Sequence, residues 1–276
     1  MILHLWRGNS FNAPCHTGDV AQWARKCGNV TLGIQPGRDF EKNISVGYPY
    51  GSLPRLILFW VNTEAVRTKN RRLQLGHSFS DFMRELGLDP SRGGKRSDAT
   101  RLREQMRRLF ASSISFQQTV TTGGRMGERW LDMKVAPKGE LWWDPKEPAQ
   151  AALWERWIEL GETFFEAITA SPVPLDMRAL RALKRSPLAL DLYAWATYSP
   201  FMVSKKGSPR FIPWRALARQ LGTDYADVKD FKRYAGAALR KVQTVYPALK
   251  IVRGDGGFTL HPSQPSVPTR KPLASA

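Results

Sequence analysis

Cysteine is nearly absent: Cys15 and Cys27 are the only two among 276 residues. That excludes a disulfide framework and fits a reducing compartment, with both thiols unliganded. Histidine is almost as scarce, and His4, His16, His77 and His261 are scattered, with no His-x-x-x-His or Cys-x-x-Cys pair to set tetrahedral zinc geometry. No apolar run approaches the ~18 residues that cross a bilayer, and residues 1–6 lack the charge, long apolar core and cleavage site of a secretory signal. A cytoplasmic chain is expected. Acidic residues are in deficit too: 24 Asp and Glu stand against 42 Lys and Arg, for a formal charge of +18 and a pI near 10.3. The imbalance points to a polyanionic partner, nucleic acid ahead of an anionic membrane.

Several catalytic chemistries lack their residues. A rolling-circle nicking enzyme needs a His-x-His metal pair beside a tyrosine, and the histidines here are scattered. Gly94-Lys95-Arg96-Ser97 looks like the end of a phosphate-binding loop, but Gly87 lies too far upstream and Arg96 replaces the Ser or Thr that would hold magnesium. It reads as the basic start of a helix. No enzyme and no cofactor are expected, although spacing alone leaves open a carboxylate metal site built from distant acids.

What the chain does contain is one pattern run twice, about 134 residues apart, too long a period for a solenoid and suited to two similar domains. Its 42% hydrophobic residues and ten tryptophans are ample for two cores. The first pass reads Leu56-Ile57-Leu58-Phe59-Trp60-Val61, then Phe82-Met83-Arg84-Glu85-Leu86-Gly87, then a basic stretch over 101–110; the second reads Leu190-Asp191-Leu192-Tyr193-Ala194-Trp195, then Leu217-Ala218-Arg219-Gln220-Leu221-Gly222, then 231–242.

Local signals give each pass the same parse. Residues 1–50 read as an arm with one short strand over 30–34. Ser52 and Pro54 start a core helix that buries Leu53, Leu56, Ile57 and Trp60. Ser78 to Asp81 has capping-box spacing and Gly87 suits a left-handed end, which predicts a short helix over 79–86. A turn over 89–94 leads to a basic helix over 97–112 with Leu102, Met106, Leu109 and Phe110 inward, then to strands over 113–121 and 129–135. In the second pass, Ser186-Pro187 starts a helix, Pro213 starts the short one and Gly222 stops it; a long helix over 226–246 ends before Pro247, and strands over 249–252 and 257–260 close the pass. Short helix, turn, longer basic helix and hairpin form a winged helix-turn-helix. The expected fold is therefore α+β, mainly α: an arm over 1–50, winged-helix modules over 51–147 and 148–262, and a flexible tail over 263–276 rich in Pro, Ser and Thr.

On the second long helix, Phe231, Ala235, Ala238, Val242 and Val245 share one side, while Lys229, Arg233, Gly236 and Arg240 fall almost opposite, with Lys232 beside them. A cationic stripe interrupted by a small residue that permits close approach suits contact with phosphates and base edges in a major groove. On the first, Arg96, Arg103 and Arg107 are expected to share an outward stripe, for DNA or for carboxylates across a dimer interface. Arg125, Arg129 and Arg253 fall at wing positions, and Lys205, Lys206 and Arg210 in the loop before the second short helix, where each could grip phosphate.

These residues carry a resemblance. Tyr48-Pro49-Tyr50-Gly51-Ser52-Leu53-Pro54-Arg55, Asn62-Thr63-Glu64-Ala65-Val66-Arg67-Thr68, the runs 75–88 and 102–110, Pro172-Val173-Pro174-Leu175-Asp176, 186–195, Asp230-Phe231-Lys232-Arg233 and Arg240-Lys241-Val242 closely resemble the plasmid-encoded RepA replication initiator family, over roughly 45–262. Ser199-Pro200-Phe201 departs from it, standing where an Arg-containing helix end is expected. The resemblance implies a bacterial protein that binds repeated origin sites, called iterons, in double-stranded plasmid DNA, helps open an A·T-rich stretch and brings in the host DnaA and the helicase DnaB. It also implies monomers for initiation, homodimers for repression of the protein's own promoter, and no nucleotide or metal cofactor. Two reading helices would cover successive major grooves, a site of roughly 20 bp. Two alternatives stay open: a winged-helix transcriptional repressor without a replication role, and a site-specific nuclease or recombinase.

Overall fold

A computed structural model of the chain describes residues 23–27, 29–140, 156–170, 172–206, 208–221 and 227–267. It divides into two units, one ending at Pro172 and the next beginning at Val173. Both mix helices with small antiparallel sheets.

The first unit opens with strands β1 (Trp23–Cys27) and β2 (Val30–Gln35) and a short hairpin of β3 (Arg38–Asp39) and β4 (Ile44–Ser45). The expected arm is thus structural from β1 onward; residues 1–22 lie outside the described ones. Leu32 pairs with Phe116 and Ile34 with Ile114, and all four are buried, because alternation with Thr31 and Gly33 puts the apolar side chains on one face. Helix α1 (Ser52–Thr68) follows, with an unbroken buried run from Leu53 to Val61, so that part of it is surrounded by core on all sides. Even Arg55 is inside, donating from Nη1 to Gly51 O at 2.5 Å.

After β5 (Arg72–Gln74) comes α2 (Phe79–Glu85). Its start is the predicted box: Ser78 Oγ accepts from Asp81 N at 3.0 Å and donates to Asp81 Oδ2 at 2.7 Å. Its end is a glycine cap, with Gly87 at φ 73° and Leu88 N donating to Met83 O at 2.8 Å. Helix α3 (Asp98–Ala111) is capped by Ser97, whose Oγ accepts from Thr100 N at 3.2 Å. Strands β6 (Ser113–Thr122) and β7 (Arg125–Lys134) then pair along their whole length. The sequence reading separated them by residues 122–127. The turn is instead only Gly123-Gly124, at φ 57° and 76°, the double positive φ that a two-residue type I′ hairpin needs. Because β2 pairs with β6 only as far as Gln118, the outer rungs project as a two-stranded ribbon, exposed from 121 to 130.

Strands β8 (Lys138–Glu140) and β9 (Trp157–Glu159) and helix α4 (Glu162–Ala170) complete this unit. The expected boundary after 147 is corrected here. β9 pairs with both β5 and β8, and Leu160 N donates to Arg71 O at 2.9 Å, so residues 156–170 close the first core.

The second unit contains α5 (Met177–Leu183), α6 (Pro187–Lys206), β10 (Arg210–Pro213), α7 (Trp214–Leu221), α8 (Val228–Val245), β11 (Ile251–Arg253) and β12 (Gly257–Leu260). Helix α6 does not end near Ser199-Pro200 but continues to Lys206. The segment read as a loop before α7 supplies β10, which pairs with β12 to make a three-stranded sheet in the order β10-β12-β11. Trp214 packs against Phe231 and Phe258, with ring centroids 6.5 and 5.3 Å apart. Each such buried large side chain is worth about 1.5–3 kcal/mol of burial. The first part of the tail is tied down: Tyr246 Oη donates to Gln264 O at 2.5 Å and Lys250 N donates to Ser263 Oγ at 3.0 Å. Tyr193 Oη accepts from Asp176 N at 3.2 Å and hydrogen-bonds Ser266 Oγ at 2.8 Å. The series α1, β5, α2, α3, β6, β7 of the first unit recurs as α6, β10, α7, α8, β11, β12 in the second.

Candidate nucleic-acid interface

Helix α8 starts at Asp227, whose carboxylate accepts from Lys229 N at 2.8 Å. Phe231, Ala235, Ala238, Leu239 and Val242 are buried, and the opposite side exposes Lys229, Arg233, Arg240 and Lys241. The stripe is therefore real and faces solvent. Arg233 is held over its neighbours: its guanidinium pairs with Asp230 at 3.1 Å, donates to Tyr234 Oη at 3.1 Å and lies 4.7 Å from that ring's centroid. Lys232 is half-buried and pairs with Asp255 of the β11–β12 turn at 3.3 Å.

Gly236 does not leave the opening that its place in the stripe suggests. It is buried, and a Cβ built on it would stand 2.9 Å from Arg253 Nη1. The guanidinium of Arg253, reaching across from β11 and 5.8 Å from the Trp214 ring centroid, occupies that space. Hairpin and helix thus share one cationic surface: Lys229, Arg233, Arg240, and Arg253 over the glycine. Sequence reasoning placed Arg253 on a wing and Gly236 on the helix, but no signal joined them. It also passed over Tyr234, which is 47% exposed beside Arg233.

The other expected contacts are placed as follows. Arg210 is exposed at the start of β10. Lys205 and Lys206 belong to the last turn of α6 rather than a loop, and their side chains lie outside the described ones. In the first unit, Arg125 is exposed at the ribbon tip, and Arg129 shares its strand face. The opposite face of the ribbon carries Met126 and Trp130, both strongly exposed.

Arg96, Arg103 and Arg107 do not share one open stripe. Arg96 is exposed just ahead of the Ser97 cap. Arg103 is half-buried, donates from Nε to Ala99 O at 3.3 Å and lies 5.6 Å from the Phe79 ring centroid; burial holds its guanidinium pKa below the usual value. Arg107 is ion-paired with Asp39 of the β3–β4 hairpin. Backbone donation from Lys42 N, with help from Arg107, keeps the Asp39 carboxyl below the ordinary range. Both arginines line a cleft of about 960 Å³ between that hairpin and α3. Asp39 and Arg156, the residues that turn this face into a cleft, carry no local sequence signal.

A family model described as plasmid encoded RepA protein matches residues 48–215. The chain belongs to the plasmid encoded RepA family. The RepA match takes in the elements from α1 to the start of α7 and leaves α8 and the second hairpin outside it. Two crystal structures of domains 2 and 3 of RctB are similar in fold: one at a TM-score of 0.57 and 12% identity, covering 93% of this chain and 96% of that one, the other at 0.53 and 12%, covering 94% of each. No curated protein matches the chain. No helix among the described residues is long and apolar enough to cross a membrane.

Proposed function

We propose that this RepA-family chain is a plasmid replication initiator acting in the bacterial cytoplasm, and that each helix–helix–hairpin series is a winged helix-turn-helix. The carrying observation is the solvent-facing cationic surface of α8, where Lys229, Arg233 and Arg240 are joined by Arg253 from the adjoining hairpin. A helix of this kind enters the major groove with side chains reaching base edges, while the hairpin cations hold phosphates beside it. In this reading α8 reads the repeated origin sites, Arg253 and Arg210 grip the backbone, and the ribbon tip at Arg125 and the Arg96 end of α3 add sequence-independent contacts. Bending between two contacts on one duplex would lower the cost of melting an adjacent A·T-rich stretch. Recruitment of DnaA and DnaB, repression of the protein's own promoter and a repressing homodimer complete the proposal by family likeness, and no catalytic step is assigned.

Two measurements test it. The gene and its flanking DNA, cloned as the only origin on a selectable circle, should sustain a replicon; failure with a well-expressed protein would leave a repressor. A footprint of purified protein on that DNA should protect repeated sites of about 20 bp. Protection of a single half-site would contradict docking by both modules, and nicking of supercoiled origin DNA with magnesium would restore the nuclease class.

A further inference from the structure

We infer that the first unit self-associates through its β3–β4 hairpin, the Phe40 ring of each copy entering the other copy's cleft between that hairpin and α3. Phe40 is the most exposed large apolar side chain among the described residues, at 87%, and Ile44 on the returning strand is exposed as well. Beside this knob is a hollow. Leu75, Phe79, Phe82, Met106 and Phe110 give the cleft an apolar floor, and its volume of about 960 Å³ exceeds the space of one ring. Asp39, Glu41 and Lys42 line the cleft but Phe40 does not, so the hairpin leaves its own hollow unfilled. Knob and hollow are carried side by side on one element. That is what a two-fold axis needs, because an isologous interface uses the same patch twice, each knob meeting the other copy's hollow.

Charge favours an uncharged occupant. Arg107 is paired with Asp39 and Glu104 with Arg108, and Arg103 lies over the Phe79 ring. A charged guest would compete with these contacts, whereas an apolar ring leaves them in place and gains burial. Three acids and four cations line the cleft, so two copies of a chain of charge +18 can meet here as two α8 faces could not. The knob is also held ready. Val46 N donates to Gly37 O at 3.0 Å across the hairpin base, and Lys42 N donates to Asp39 Oδ1 at 3.1 Å in its loop. A Cβ at Gly37 would collide with that of Ala111, so the base packs directly on the end of α3. A loop fixed before docking loses little freedom on docking. This face rests on the homodimer of the proposed function only for its second copy; self-association is measured without DNA, so its failure would leave the initiator role untouched.

Sedimentation equilibrium of the whole chain should show a monomer–dimer equilibrium. Salt raised from about 0.1 to about 0.5 M should not weaken it, since an apolar contact between like-charged molecules gains from screening. Phe40→Ser should weaken the dimer at least tenfold, and so should Thr100→Trp, which puts a bulky ring on the exposed lip of the cleft. Phe211→Ser, at an exposed phenylalanine of the second unit, should leave it intact. An equimolar mixture of the Phe40→Ser and Thr100→Trp proteins should dimerise more tightly than either alone, because one intact ring then meets one open cleft. A folding defect in either variant could not produce that gain. A wild-type chain still monomeric at about 0.1 mM, an equal loss at Phe211, or a mixture no tighter than its parts overturns the face.

Discussion

Trp60 donates its indole N–H to Glu85 Oε2 at 2.6 Å, tying the core helix α1 to the last residue of α2. In the second unit Trp195 donates to Gln220 Oε1 at 3.1 Å, with donor and acceptor again 25 residues apart. One brace has been kept through both passes of the chain. Trp60→Phe should cost about 1–3 kcal/mol, because a partly buried charged acceptor loses its donor, and Trp195→Phe about 0.5–1.5 kcal/mol, because the amide is neutral. Urea unfolding of each variant checks the order; a larger loss at Trp195 would contradict it.

Arg233→Ala should weaken binding to a repeated origin site by about 1–3 kcal/mol and relax one base position. A loss uniform across sequences would place Arg233 on phosphate instead. Binding to permuted site libraries separates the two outcomes.

Lys229→Ala should weaken all DNA binding slightly and lower the slope of log K against log salt by about one, as expected for a lost phosphate contact. Titrations at several salt concentrations read it directly, and an unchanged slope would remove Lys229 from the interface.

Gly236→Ala separates stability from binding. Alanine gains up to about 1 kcal/mol of helix propensity over glycine, and the atoms it meets are the far end of a long side chain, so the fold should hold. Arg253 must move, so specific DNA affinity should fall while the thermal midpoint stays level or rises. Unchanged affinity would show that the position of Arg253 is immaterial.

Acid should loosen the first unit through Asp81. The Ser78 hydroxyl, then Arg84, hold its carboxyl below the ordinary carboxylate range. A carboxylate depressed on folding lends stability that is fully present above its unfolded pKa and is lost as pH falls through the lower folded value. Asp81→Asn should therefore flatten the dependence of unfolding midpoint on pH below about 4 and leave its shape above pH 5 unchanged. Midpoints measured across that window check the sign.

Helices were the most legible part of the sequence, because their ends are written locally. Ser78 with Asp81, Ser97 with Thr100 and Gly87 act within a few residues of themselves. Strands were less legible, since their partners are remote. β2 was visible over 30–34, but β1 reads as arm until it pairs with β2, and β10 reads as loop until Phe258 pairs with Ile212. The cationic face of α8 followed from 100° periodicity alone. The fate of α3 did not, because Asp39 pairs with Arg107, and Glu41 and Arg156 line the same cleft, from distant parts of the chain. Gly236 illustrates the limit: its small size was visible, while the side chain that uses the space came from another element.

The Tyr193 phenol touches both Asp176, near the entrance of the second unit, and Ser266, near its exit. A module whose two ends converge on one hydroxyl closes on itself like a loop of thread drawn to a knot.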